Sequence, residues 1–204
     1  TNNDEEILSD ATETMESLNL NVTERQSHDG KDARELLCSA GEFVSFLAEL
    51  ESTLLSASSQ RRVPSEIMGA SDATVAAFLK GYIEGEGHIS ASEREISVAS
   101  MSRQLLEDVR SMLLSLGIPS QIHPRNNGSY RLRISGDSFH RYVKRIGFVT
   151  ARKSAACEEY VDVSGNTNLD IVPRIGSELR RIRESLDLTQ RECGLPRSTY
   201  QHYE

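Results

Sequence analysis

Two stretches of this chain, offset by about 98 residues, follow one plan, and that repeat restricts the fold more than any other property of the sequence. The first begins with a helix over residues 4–18, capped by Asn3 or Asp4, with Ile7, Ala11, Met15 and Leu18 as its apolar stripe. Leu20 to Gln26 alternates like a strand, Asp29-Gly30 is a turn signal, and Arg34 to Cys38 returns as a second strand. Gly41 to Leu50 follows as a helix with Phe43, Phe46, Leu47 and Leu50 turned inward. The second stretch repeats this order. Ser102 caps a helix over 103–116 with Leu105, Leu106, Val109, Leu113 and Leu116 apolar, and Gly117 stops it. Strands at 120–125 and 129–134 flank Asn126-Asn127-Gly128, a strong hairpin signal, and a helix opened by Asp137 or Ser138 carries Phe139, Tyr142, Val143 and Ile146 before Gly147 ends it. Leu18 matches Leu116, Leu20 matches Ile118, Leu36 and Cys38 match Leu132 and Ile134, and Phe43 matches Phe139, as the offset falls from 98 to 96.

The second copy is preceded by a further helix, Phe78-Leu79-Lys80-Gly81-Tyr82-Ile83-Glu84-Gly85-Glu86-Gly87, and by a short hairpin at 88–91 and 95–99. The first copy has no counterpart, so the expectation is a fragment lacking its first helix and hairpin; the absence of an initiator Met points the same way. In the helix, Leu79, Tyr82 and Ile83 keep a helical period, while Gly81 and Gly85 share one face and leave it bare for a second backbone. Glu86 lies in the last turn, where the helix macrodipole disfavours a carboxylate, and a divalent cation would compensate. On pattern alone, a buried helix with a glycine cap and an exposed glutamate explains the same residues.

Leu79 to Gly87 resembles the LAGLIDADG, or dodecapeptide, motif of homing endonucleases, and with His88-Ile89 and the following strand-like residues it resembles the archaeal intein versions. The resemblance covers about residues 1–160 and implies an α+β fold of two αββαββα halves, the first truncated. The expected divisions are 1–62, the end of the first half; 63–165, the second half with the motif; and 166–204, a small all-α tail. It implies an intein-encoded, site-specific endonuclease hydrolysing DNA with Mg2+ or Mn2+, in which Glu86 is a catalytic residue and the metal ligand and Lys153 a second catalytic group. Glu84 takes the family's other acidic position. Gly81 and Gly85 would meet a sister helix, supplied in cis or by a second chain. Two departures count against cleavage: the family usually has Asp where Glu86 stands, and Ser56 to Arg62 offers Arg61 and Arg62 but no lysine. No splicing nucleophile or terminal His-Asn is present, so splicing is not expected. The alternative is a LAGLIDADG and helix-turn-helix regulator that binds DNA without cutting it. An RNA maturase is the weakest reading, since nothing singles out RNA.

The candidate reading surface rests on alternation. In the second hairpin Arg131 and Arg133 share one face with Gln121, His123 and Arg125, opposite Tyr130, Leu132 and Ile134; such a ribbon can lie in the major groove of double-stranded DNA. The first copy's face, Asn21, Thr23, Arg25, Glu35 and Leu37, is less basic, and Arg25 is its main contribution. The net charge of −8 conceals a strong asymmetry: residues 1–60 carry 3 basic and 13 acidic side chains, residues 101–153 carry 10 and 3. Residues 52–62, rich in serine, read as a linker. Beyond Pro173, Gly176 to Leu186 is a basic amphipathic helix and Thr189 caps a short helix from Gln190. With Pro196-Arg197-Ser198-Thr199-Tyr200-Gln201 this resembles a Cro/repressor-type helix-turn-helix with a shortened spacing, which implies DNA contacts from Arg197, Ser198, Thr199 and Gln201. The three cysteines form no CxxC pair and read as reduced thiols, and no apolar run spans a bilayer, so a cytoplasmic protein without membrane contact is expected.

Overall fold

A computed structural model describes residues 4–27, 33–158, 160 and 175–204. The chain divides into two compact units, Thr1–Asn166 and Thr167–Glu204. In the first, α1 (Glu5–Ser17) leads into an antiparallel pair, β1 (Val22–Gln26) and β2 (Arg34–Cys38), and then α2 (Gly41–Leu50). A 3-10 turn, Ser52–Leu55, and a one-turn helix, α3 (Ser65–Met68), lead to α4 (Asp72–Glu86). Next come β3 (Gly87–Ser90), β4 (Glu95–Ser100), α5 (Arg103–Ser115), β5 (Gln121–Pro124), β6 (Tyr130–Ser135), α6 (Asp137–Arg145) and α7 (Ala151–Glu158). The second unit holds α8 (Gly176–Ser185) and α9 (Arg197–Tyr203). No described helix is long and apolar enough to cross a membrane.

The second copy closes around one core. Four antiparallel strands run in the order β3-β4-β6-β5. Ile96 and Val98 of β4 and Leu132 and Ile134 of β6 point to one face. Val75, Leu79 and Ile83 of α4, Leu106, Val109, Met112 and Leu113 of α5, and Phe139 and Tyr142 of α6 belong to the same buried cluster. These positions follow from the periods of 2 and 3.6 that the sequence carries.

The repeat is visible in backbone detail. Asp4 and Ser102 cap α1 and α5 through side-chain oxygens. Both helices end in a Schellman-type turn, with Leu20 N bonded to Met15 O and Ile118 N to Leu113 O. That turn needs a residue at positive φ, and Asn19 (φ 58°) does in the first copy what Gly117 (φ 72°) does in the second. The copies differ in burial. Phe46, expected inward, is 54% exposed, whereas Tyr142 at the matching position is fully buried; Leu18 is 57% exposed against 2% for Leu116. Among the described residues nothing covers the first copy's outer side as α4, β3 and β4 cover the second.

Two other local expectations change. Residues 52–62 are not a free linker, because Arg62 donates to Asp108, a buried residue of α5, at 3.3 and 3.2 Å, and Val63 N bonds the same carboxylate at 3.3 Å. The carboxylate raises the pKa of Arg62, so this arginine is already committed. In the second unit the expected helix from Gln190 is a turn. Thr189 N and Oγ1 both donate to the Glu192 carboxylate, and Glu192 N donates to Thr189 O, the contacts of a single turn. The chain then meets Gly194 at φ 74° and Pro196, which leaves no room to propagate.

Candidate nucleic-acid interface and motif carboxylate

The other face of the four-stranded sheet is polar. Strand register places His88, Ser97, Arg133 and Gln121 in one row across all four strands, with Ala99, Arg131 and His123 in the next and Ser90, Glu95 and Ser135 on the other side. Gln121 and His123 are exposed and lie 3.3 Å apart. Arg131 and Arg133 lean across β4, where Glu95 and Ser97 accept from them. Arg125 falls in the turn beyond β5, where its N–H closes the hairpin on Ser129 O. The first copy presents Thr23 opposite Leu37 and Arg25 opposite Glu35, with Arg25 bonded to Glu35 at 3.1 and 3.0 Å. The contribution of β3 and β4, His88, Glu95 and Ser97, was not among the sequence candidates. Its signal was the alternation Glu95-Ile96-Ser97-Val98, which is the same as that of β6.

Helix α4 carries the motif. Ser71 caps its start and Gly87 N closes its end on Ile83 O. Gly81 and Gly85 are exposed, and a Cβ placed on either would meet nothing within 4 Å. Glu86 is exposed, with Tyr82 as an electrostatic neighbour. Glu84, two residues earlier in the helix, is buried instead. Its Oε2 accepts from Val149 N at 2.8 Å, and its Oε1 from Thr150 Oγ1 at 3.0 Å. Lys153 on α7 reaches the same group: its Nζ is 3.1 Å from Glu84 Oε1 and donates to Glu84 O at 2.6 Å. A cation therefore sits on a C-terminal carbonyl of α4, which offsets the dipole that disfavours Glu86. The structure brings Lys153 to Glu84 and to the end of the motif helix.

A hard dication takes about six oxygen ligands. Among the described residues no three His, Cys, Asp or Glu side chains converge as a metal set. Glu86 alone is an incomplete donor set for such an ion.

Burial raises the phenol of Tyr82 to about 12, with the charge of Glu86 adding to it. Burial, then Glu84 and Cys157, also push Tyr142 up. Between the ordinary value of 10.0 and about 12 the unfolded chain has lost the Tyr82 proton while the folded chain holds it, so stability falls as pH rises through that window. Urea unfolding at stepped pH is expected to show this decline starting near pH 10, and Tyr82→Phe to make it shallower. An unchanged slope in the variant would contradict the assignment.

The first unit thus combines an antiparallel sheet that has an apolar face packed on helices and a polar opposite face with a glycine-bearing helix that ends in an exposed carboxylate. Residues 73–147 match the LAGLIDADG-like domain family. The LAGLIDADG-like fold is shared with the homing endonuclease I-DmoI, solved in complex with DNA and Mn: TM-score 0.54, 20% identity, 72% of this chain and 77% of that one. Among curated proteins, the DNA-directed RNA polymerase subunit Rpo1C of Methanocaldococcus jannaschii is 27% identical over 195 residues, 91% of this chain and 22% of its own length. A probable translation initiation factor IF-2 of Thermococcus kodakarensis is 35% identical over 147 residues, 70% of this chain and 12% of its own length. The chain thus spans less than a quarter of either relative.

Proposed function

We propose that this chain is part of an intein-encoded LAGLIDADG homing endonuclease, that it binds double-stranded DNA through the polar face of β3-β4-β6-β5, and that Glu86 is one of the carboxylates for phosphodiester hydrolysis. The observation that carries the reading is the row His88, Ser97, Arg133 and Gln121, with Arg131 and His123 beside it, on the face opposite the core. A twisted ribbon of this kind presents forked and single donors to major-groove base edges. The two relatives support the intein part. Their names share no activity, and each matches only over a small segment, as an inserted element does. The remaining carboxylate would come from a sister helix on the Gly81 and Gly85 face, in cis or from a second chain, and Mg2+ or Mn2+ would need oxygens from that helix and from the DNA. Arg25 extends the surface into the first copy. In the second unit Arg197, Ser198, Thr199 and Gln201 lie on α9 and add DNA contacts by resemblance.

The test is binding of the full chain to duplex DNA by fluorescence anisotropy. Arg131→Ala with Arg133→Ala is expected to weaken it about tenfold or more, at 1–3 kcal/mol for a lost base contact. Unchanged affinity would sink the interface. For cleavage, a chain completed with a sister motif helix is expected to cut an uninterrupted copy of its insertion site in Mg2+, and the same chain with Glu86→Gln is not. One observation favours the second reading, a DNA-binding regulator without cleavage: the Lys153 ammonium is held by the carboxylate and carbonyl of Glu84. Specific binding by the completed chain with both strands left intact would select that reading.

A further inference from the structure

The polar face of the sheet contains its own counter-ion. The Glu95 side chain on β4 is only 9% exposed, yet it lies between two half-exposed arginines of the candidate reading surface. Arg131 donates through Nη2 to Glu95 Oε1 at 2.9 Å and to Ser97 Oγ at 2.9 Å. Arg133 donates through Nε to Glu95 Oε2 at 3.0 Å and adds its Nη2 to the same oxygen. One carboxylate thus takes two guanidiniums, one on each oxygen. Each arginine keeps several of its five N–H donors for other partners. Each arginine side chain remains about two-fifths exposed, so the pairing with Glu95 leaves both arginines accessible to a partner. The first copy repeats it in simpler form. Arg25 is bonded to Glu35 across β1 and β2, and Ser27 Oγ donates to the other oxygen of that carboxylate at 3.1 Å.

Two unconstrained arginines on a groove-facing sheet would bind any phosphate, because that attraction carries no sequence information. Arginines fixed by a buried carboxylate have less charge to offer a phosphate and a set orientation for a base edge such as guanine O6 and N7. We infer that Glu95 is a specificity-determining positioning residue: it orients Arg131 and Arg133 for base contacts and suppresses sequence-independent binding. This rests on the proposed DNA interface.

The test uses the full chain and Glu95→Gln, which keeps the shape and removes the charge. Two readouts are taken: affinity for a random-sequence duplex of about 40 base pairs across a salt series, and the sequences enriched from a random pool. Glu95→Gln is expected to bind the random duplex about tenfold tighter at low salt. The slope of log K against log salt should steepen by up to about 2, since each neutralised phosphate adds about 0.9. The enriched pool should be less sharply defined than with the unmodified chain. Glu95→Asp keeps the charge but shortens the reach. It is expected to leave the salt slope alone while broadening the pool, which also covers the case where Glu95→Gln fails to fold. If both variants match the unmodified chain in slope and pool while Arg131→Ala with Arg133→Ala weakens binding, the role of Glu95 is wrong. If the double arginine variant binds unchanged, the DNA interface itself is wrong.

Discussion

Replacing Glu84 with alanine is expected to lower the unfolding free energy of the first unit by about 3–5 kcal/mol, the usual loss when one partner of a buried ion pair is removed. The Glu84 side chain is 2% exposed and that of Lys153 12%, so water screens their contact of 3.1 Å very little. The substitution strands a buried ammonium and leaves Val149 N and Thr150 Oγ1 without their acceptor. Lys153 then keeps only the main-chain carbonyl of residue 84, so the last turn of α4 and the direction of Glu86 are held less firmly. Urea denaturation followed by circular dichroism measures the effect. Glu84→Gln, which can still accept two hydrogen bonds, should lose less. A loss under about 1 kcal/mol for the alanine variant would show that the cluster is not the anchor described.

The second large effect is at Gly87. A Cβ there would stand 2.3 Å from Ile83 O and 2.8 Å from Ile83 Cγ2. The first of these atoms is backbone in the final turn of α4, so it cannot swing away as a side-chain tip could. Gly87→Ala is therefore expected to cost on the order of 3 kcal/mol, the upper end for overpacking, because helix and strand must part for the methyl group to enter. Gly81→Ala and Gly85→Ala, which meet nothing within 4 Å, are the internal controls and should shift the midpoint far less. Equal midpoints for Gly87→Ala and Gly85→Ala in thermal unfolding would refute the steric argument. The contrast separates two uses of glycine in one motif: Gly87 lets this chain turn from helix to strand, while Gly81 and Gly85 leave a face open.

Much of this fold could be read from periodicity. The α2 boundaries, the α5 N-cap at Ser102 and the Asn127-Gly128 hairpin all sit where local chemistry placed them, because cap and turn residues act on their immediate neighbours. The repeat was legible because Leu18, Leu20 and Phe43 recur as Leu116, Ile118 and Phe139, and the structure adds that Asn19 and Gly117 share one left-handed backbone. Long-range pairings were not legible. Nothing in the order of residues says that Glu84, and not Glu86, turns inward, or that Arg62 finds Asp108. Those outcomes depend on which carboxylate the packing of α7 and α5 leaves beside a cation. Glu95 escaped for the same reason: its partners are on β6, and only the β4–β6 register unites them. The helix expected from Gln190 failed through a local conflict, since a good cap is followed too soon by Gly194 and Pro196.

The unequal burial of the two copies also sets a hierarchy of motion. The second copy has a continuous apolar interior, so exposing any part of it forfeits many contacts at once and its amides should open only with the whole. The first copy joins it through polar links, Glu6 to Ala151 N, Asp4 to Arg152 and Arg61 O to Ser102, which water can replace. Phe46 and Leu18 are already in solvent, and Leu8 is the one buried apolar side chain among the described residues of the first copy, so opening it exposes less apolar surface than opening the second. One sequence plan, written twice in the same polypeptide, thus yields a rigid frame and a compliant arm, and the difference comes from what covers each copy rather than from the residues they share.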